Sequence, residues 1–413
     1  MCSSDPALFV LIPQSAMIKG HLQLEIVVAQ SSPIRPFTLK IDQQVLDDLA
    51  QRLAMTRWPD PQTPEDWSQG LPLDYAKQLA AYWQTEYDWR EREVYFNKFP
   101  QFVTELDGLD IHFIHLQSPE AHARPLLMTH GWPGSVVEFH KVIAPLVDPV
   151  AHGGKAEEAF HVVCPSLPGY GFSAKPVSTG WGVEKIAQAW NTLMQRLGYD
   201  RYFAQGGDWG SAVTTAIGLQ NQGQCAGIHV NMPNARATKE ALANPTERDK
   251  AALAGAKYYQ QWGAGYSTQQ STRPQTLGYG LVDSPMGQAA WIIEKFYEWT
   301  DCSCYPENAL SRQELLDNVM FYWLPGTGAS SARLYWESFG TAFSGVADQQ
   351  VKIPTGCSIF PKEIVATPRS WAEQRYPNIV YWNELDKGGH FAAFEQPQLF
   401  VNELRRCFAT MSL

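Results

Sequence analysis

The stretch Gln205-Gly206-Gly207-Asp208-Trp209-Gly210-Ser211 joins a predicted strand (200–205) to a predicted helix (211–219). Small residues two positions before and two positions after Asp208 permit the tight strand-to-helix turn called a nucleophile elbow. Such turns usually carry serine. A carboxylate nucleophile suits substrates that are alkylated, because its attack on an sp3 carbon gives an ester that water can cleave. The alternative is that Asp208 only caps the helix.

Composition describes a globular chain of 413 residues with 45% hydrophobic and 18% charged residues. The net charge of -10 argues against a nucleic-acid partner. Seven cysteines, mostly within apolar runs, predict free thiols in a reducing compartment, and hence a soluble, cytoplasmic protein. Cys302-Ser303-Cys304 lacks zinc-site spacing, so we expect neither a metal nor a cofactor.

Strand-like and helical segments alternate along much of the chain, which predicts an α/β fold with a mostly parallel sheet and helices on both faces. A hairpin is expected around Asp107-Gly108, a helical region at 73–97 and a helix at 136–146. The apolar run 7–12 is too short to span a bilayer. We predict an N-terminal extension (1–35), a helical arm (36–101), a first core segment (102–233), a helical lid (234–343) and a second core segment (344–413).

Candidate catalytic groups follow predicted strands, and the carboxyl ends of parallel strands meet at one edge of a sheet. His390 lies in a glycine-rich loop and is the expected base that activates water against the ester. Glu363 follows the preceding strand and is the favoured acid to orient His390, although Glu384 and Asp386 are nearer in sequence. The order nucleophile, acid, histidine is that of the α/β hydrolases.

Hydrolysis of an ester develops an oxyanion, which backbone N–H groups stabilise. Trp209 follows the nucleophile and is expected to supply one amide. Trp132, in the turn His130-Gly131-Trp132-Pro133, is expected to supply the other. An aromatic residue before Pro133 also makes a cis peptide bond conceivable. His130 itself is interpreted as structural.

The chain from about Pro36 onward resembles the epoxide hydrolases of the α/β hydrolase fold, in the branch with an N-terminal helical arm that includes microsomal and fungal members. The motifs that carry the resemblance appear in the family's order. They are Trp89-Arg90, Phe99-Pro100-Gln101-Phe102, His130-Gly131-Trp132-Pro133-Gly134-Ser135, Pro165-Ser166-Leu167-Pro168-Gly169-Tyr170, Gly206-Gly207-Asp208, Pro361-Lys362-Glu363 and Gly388-Gly389-His390-Phe391.

The resemblance implies an enzyme that adds water to an epoxide to give a vicinal diol, in a detoxification role. It also implies two lid tyrosines that bind the epoxide oxygen, and Tyr266 and Tyr335 fit these positions. A phenol suits this task because it stays protonated at neutral pH and can donate to a developing alkoxide. We expect a small apolar epoxide and water as partners, no membrane span, and a possible homodimer. Trp262, Trp291 and Phe296 are candidates to line the substrate pocket.

Two other functions share parts of this pattern. A haloalkane dehalogenase would use the same aspartate nucleophile but needs donors that bind a halide. A catalytically silent interaction protein could keep the fold, although Asp208, Glu363 and His390 together speak against it.

Overall fold

The computed structural model describes residues 32–343 and 349–413. Ser32–Leu413 form one compact unit. The predicted extension, including the apolar run at 7–12, therefore lies outside the described residues except for its last four positions. Among the described helices, none is long and apolar enough to cross a membrane.

The centre of the fold is a nine-stranded sheet with the order β1-β2-β3-β5-β4-β6-β7-β8-β9. The pairs from β5 through β9 are parallel, and the β1, β2, β3 edge is antiparallel up to β5. The mostly parallel sheet is thus confirmed. The strands are β1 (Arg35–Phe37), β2 (Gln101–Leu106), β3 (Leu109–Leu116), β4 (Arg124–Thr129), β5 (Phe160–Pro165), β6 (Tyr202–Gly206), β7 (Cys225–Val230), β8 (Thr355–Ile359) and β9 (Ile379–Glu384).

The central strands read as short apolar runs because they are buried on both faces. Every residue of β6, β7 and β8 is buried. At the antiparallel edge, Asp107 and Gly108 connect β2 to β3 with φ of 49° and 80°. Two positive φ values in succession match the right-handed twist of a two-residue hairpin, so the predicted hairpin is confirmed.

Helices cover the sheet and build the arm and the lid. In the core, α5 and α6 pack against each other, and α16 packs against β7 and β8. The helices are α1 (Gln43–Ala54), α2 (Leu73–Thr85), α3 (Trp89–Phe96), α4 (Ile143–Val147), α5 (Val183–Arg196), α6 (Asp208–Gln220), α7 (Lys239–Ala243), α8 (Glu247–Tyr258), α9 (Gly265–Thr272), α10 (Pro274–Asp283), α11 (Pro285–Trp299), α12 (Arg312–Trp323), α13 (Gly328–Ala342), α14 (Arg369–Arg375), α15 (Ala392–Glu395) and α16 (Pro397–Ala409).

Two predicted helices are broken in the structure. The helix expected at 136–146 is instead a 3-10 turn, Val136–Phe139, followed by α4. The helical region expected at 73–97 divides into α2 and α3. Asp88 between them has an extended backbone, and its side chain accepts from the amide of Arg90 at 2.7 Å, so it caps a new helix rather than continuing the first.

The arm is fixed to the lid by a buried ion pair. Arg92 of α3 donates to both carboxylate oxygens of Asp317 in α12, with distances of 2.7 to 3.0 Å. Tyr87 donates to the same carboxylate at 2.9 Å. Because Asp317 is fully buried, these donors replace the water that its charge has lost.

Candidate active site

Asp208 lies at the tip of the turn between β6 and α6. It has a φ of 51°, which is uncommon for a residue other than glycine and marks backbone strain. The flanking glycines are sterically required: a Cβ on Gly210 would lie 1.8 Å from the carbonyl oxygen of Thr129, and one on Gly206 would lie 2.1 Å from that of Gly210. Gly207, not Asp208, is the N-cap of α6, so the alternative that Asp208 only caps the helix fails.

The backbone amide of Trp132 donates to Asp208 Oδ1 at 2.8 Å. The turn approaches the carboxylate so closely that a Cβ on Gly131 would lie 2.3 Å from Oδ1. Trp209 is the second residue of α6, so its amide belongs to the helix N-terminus, where N–H groups have no acceptor within the helix. The peptide bond between Trp132 and Pro133 is cis, as the sequence suggested.

His390 lies between two carboxylates. Its Nδ1 is 2.5 Å from Glu363 Oε1, and its Nε2 is 3.4 Å from Asp208 Oδ2. The two other acids considered from the sequence lie elsewhere: Glu384 is exposed and pairs with Arg248, and Asp386 is exposed. The structure therefore brings Asp208, His390 and Glu363 together in a continuous buried row.

Electrostatics set the resting charge of this row. Burial alone would lower the pKa of the His390 imidazole. Attraction by Glu363 and by Asp208 outweighs burial and raises that pKa well above its usual value. His390 is thus protonated when both carboxylates are ionised.

His130 is structural, as expected. Its Nε2 accepts from the amide of Leu167 at 3.1 Å, and its Nδ1 donates to the carbonyl of Gly131 at 2.9 Å. Burial lowers the pKa of His130 to about 4, so the ring is neutral.

The two lid tyrosines converge above Asp208. Tyr266 of α9 stacks on Trp132 with ring centroids 4.8 Å apart, and Tyr335 of α13 meets Trp132 edge-on at 5.8 Å. Their own ring centroids are 5.7 Å apart. Burial raises the pKa of both phenols well above the usual value, so both are protonated at neutral pH.

Two cavities meet at Asp208. The larger, of about 350 Å³, is mainly apolar and includes Tyr266 and Tyr335 in its wall. Its other side chains include Leu253, Phe339, Phe343 and Trp371. The three aromatic residues that were predicted to line this cavity are not among the described residues of its wall. Trp262 is 70% exposed, Trp291 hydrogen-bonds to Gln270, and Phe296 stacks on Phe391 in the core.

The smaller cavity, of about 20 Å³, has room for one water molecule. Asp208, His390 and Glu138 line it. Desolvation raises the pKa of Glu138 to about 8, so its carboxyl group is protonated at neutral pH. Glu138 was not predicted as a site residue, because it lies on the 3-10 turn that was expected to be a regular helix. Tyr259, in the wall of the larger cavity, was also missed.

Two protein-family models match this chain, and known proteins are similar to it over most of its length. A family described as the epoxide hydrolase N terminus matches residues 34–139, and one described as the alpha/beta hydrolase fold matches residues 124–279. Epoxide hydrolase 1 of Sus scrofa is 37% identical over 404 residues, which cover 92% of this chain and 89% of that protein. A protein of Stigmatella aurantiaca, named provisionally as an epoxide hydrolase, is 54% identical and the match covers 91% and 84% of the two chains.

The chain belongs to the epoxide hydrolase family.

Solved structures of epoxide hydrolases have the same fold. The Aspergillus niger epoxide hydrolase superposes with a TM-score of 0.83 at 32% identity, covering 92% of this chain and 97% of the other. The juvenile hormone epoxide hydrolase of Bombyx mori also has a TM-score of 0.83, at 30% identity, covering 92% and 95%. The expected fold and epoxide hydrolase activity are thereby confirmed.

Proposed function

We propose that this epoxide hydrolase works through an alkyl ester on Asp208. The observation that carries the proposal is the position of the Asp208 carboxylate. It lies beside the imidazole of His390 and in the wall of the cavity that the buried phenols of Tyr266 and Tyr335 also line. In the first step a carboxylate oxygen of Asp208 attacks a ring carbon, and the carbon–oxygen bond of the epoxide breaks. Tyr266 and Tyr335 hydrogen-bond the departing oxygen, and one phenol gives it a proton.

Water then attacks the carbonyl carbon of the ester. His390 takes a proton from that water while Glu363 stabilises the imidazolium ring that forms. The amides of Trp132 and Trp209 donate to the oxyanion. When the tetrahedral intermediate collapses, the ester bond breaks, the departing alkoxide takes the proton of the newly formed carboxylic acid, and the diol leaves. Asp208 is then a carboxylate again, and His390 keeps the proton that came from water, as in the resting site.

Charge also orders the two steps. In the resting site Asp208 helps to hold the proton on His390, which cannot then act as a base. Alkylation removes the negative charge of Asp208, because the ester is neutral. With one of its two carboxylates neutralised, the pKa of His390 falls. The ring can then give its resting proton to the phenolate that ring opening left, and the neutral ring accepts a proton from water.

The water molecule for the second step fits the smaller cavity. It would lie between His390 and the protonated carboxyl group of Glu138, next to the carbon that it attacks. The apolar wall of the larger cavity supports a small apolar epoxide as the substrate class.

The mechanism is tested by turnover of an aryl epoxide in oxygen-18 water over repeated cycles. Label should enter the carboxylate of Asp208, because water attacks the ester carbonyl. A His390→Gln variant should accumulate protein whose mass is increased by one substrate. Absence of label from Asp208, or diol formation by an Asp208→Ala variant, would refute the ester mechanism.

Location and assembly are further parts of the proposal. We propose a reducing, cytoplasmic setting, which is supported by free cysteine thiols at all six positions that the structure describes. We also propose a homodimer formed through the lid, where Tyr258 and Trp262 are 55% and 70% exposed. Light scattering coupled to size exclusion tests the dimer, and a monomer at micromolar concentration would exclude it.

A further inference from the structure

A third tyrosine of the lid, Tyr259, lies beside Tyr266, one of the two phenols that bind the departing oxygen. Tyr259 Oη is 3.2 Å from Tyr266 Oη, and both residues border the larger cavity. Tyr259 begins a π turn, Tyr259–Gly263, that interrupts the helical run between α8 and α9. Such turns are rare in proteins overall, but many of them lie at functional sites. Nothing in the reaction described above uses Tyr259.

The hydroxyl proton of Tyr259 has two possible acceptors, Tyr266 Oη and Ser267 Oγ. Its oxygen is also 3.3 Å from Ser267 Oγ. Ser267 donates its own proton to the carbonyl of Ala264 at 2.9 Å, so toward Tyr259 its hydroxyl group acts as an acceptor. Tyr259 can therefore donate to Ser267 or to Tyr266.

These two arrangements have different consequences for Tyr266. If Tyr259 donates to Ser267, its oxygen is free to accept the proton of Tyr266. If Tyr259 donates to Tyr266, the proton of Tyr266 is free to point at the epoxide oxygen. The second arrangement also places a donor on the oxygen of Tyr266, which becomes negative as its proton leaves. A hydrogen bond to a charged oxygen is stronger than one to a neutral oxygen.

We propose that Tyr259 is a positioning residue for the ring-opening step. It turns its O–H from Ser267 to Tyr266 as the substrate binds, and it stabilises the phenolate of Tyr266 as the alkoxide is protonated. Tyr259 keeps its own proton throughout, and only its hydrogen-bond partner changes. This proposal rests on the proposed ester mechanism, because ring opening is the only step in which Tyr266 loses a proton.

The alkylation step can be measured alone in a His390→Gln background, where the ester is not hydrolysed. Intact-mass spectrometry after rapid quenching gives the rate at which esterified protein appears. Two substrates of similar size are compared: propylene oxide and its trifluoromethyl analogue. Fluorine makes the departing alkoxide less basic, so the analogue depends less on a proton donor.

Tyr259→Phe should slow alkylation by propylene oxide roughly tenfold to a hundredfold, as expected for loss of a hydrogen bond to a developing charge. The trifluoromethyl analogue should be slowed much less. Ser267→Ala, which removes the competing acceptor, should alkylate at least as fast as the parent. Tyr258→Phe is the matched control, since Tyr258 is the neighbouring residue and is 55% exposed; it should leave both rates unchanged.

The proposal is wrong if Tyr259→Phe reacts within twofold of the parent, or if it slows both epoxides equally, as a merely structural change would. It is also wrong if Ser267→Ala slows alkylation as much as Tyr259→Phe does. If the parent itself forms no ester, the proposed mechanism fails and this proposal fails with it. If the parent forms the ester and Tyr259→Phe forms it at the same rate, only the role of Tyr259 is refuted.

Discussion

Replacing Glu363 with glutamine tests the charge arrangement around His390. The amide keeps an oxygen that can accept from Nδ1, so the ring keeps its orientation, but the negative charge is lost. The pair is buried, with Nδ1 and Oε1 2.5 Å apart. At a charge separation of roughly 4 Å and an effective dielectric constant of about 20, the lost attraction is about 4 kcal/mol.

A loss of about 4 kcal/mol corresponds to roughly a thousandfold in rate, because each 1.36 kcal/mol is about tenfold. His390 takes a proton from water during hydrolysis of the ester, so we expect that step to slow by up to about a thousandfold. Alkylation should change far less, since His390 takes no proton in that step. Single-turnover rapid quench with intact-mass detection should therefore show the ester accumulating in Glu363→Gln.

Glu384→Gln is the matched control, because Glu384 was the nearer acid in sequence but its side chain is 40% exposed and pairs with Arg248. It should hydrolyse the ester at the parent rate. The reasoning is refuted if Glu363→Gln accumulates no ester, or if alkylation and hydrolysis slow to the same extent.

Three further predictions concern stability, each read from urea unfolding. Arg92→Met leaves the buried charge of Asp317 without its cation and should lower the free energy of unfolding by about 3–5 kcal/mol. Arg35→Met is the control: Arg35 pairs with Asp110, and the two side chains are 56% and 47% exposed. It should lower that free energy by less than about 1 kcal/mol. Gly210→Ala should cost at least about 1–3 kcal/mol, because its Cβ would lie 1.8 Å from a carbonyl oxygen. Desolvation raises the pKa of Glu395 to about 7, above its unfolded value. The stability that protonated Glu395 contributes is thus complete below about pH 4.5 and is lost as the pH rises through about 7. Glu395→Gln should therefore flatten the dependence of the unfolding free energy on pH in this range. An unchanged slope would contradict this.

The sequence was informative where constraints are local. The turn at Asp208 needs a glycine at Gly206, where a Cβ would meet Gly210 of the same turn. The hairpin at Asp107 needs two positive φ values in succession. The carboxyl ends of parallel strands bring Glu363 and His390 to one edge, so their proximity follows from topology alone.

The remainder depended on how separate elements pack. The helices of the lid are apolar on several sides, so spacing alone did not show that Phe296 belongs to the core and Trp262 to the surface. Glu138 and Tyr259 acquire their positions only after distant elements meet.

The two cavities that meet at Asp208 have a consequence for how this enzyme can change. Among the described residues, Asp208 alone lines both of them. Substrate and water would therefore reach the same carboxyl group by separate routes, and a bulky substrate need not obstruct the water molecule. Residues of the lid can be exchanged to admit a different epoxide while the wall behind the nucleophile stays intact. The range of substrates and the hydrolysis of the ester therefore depend on different residues around the same carboxylate.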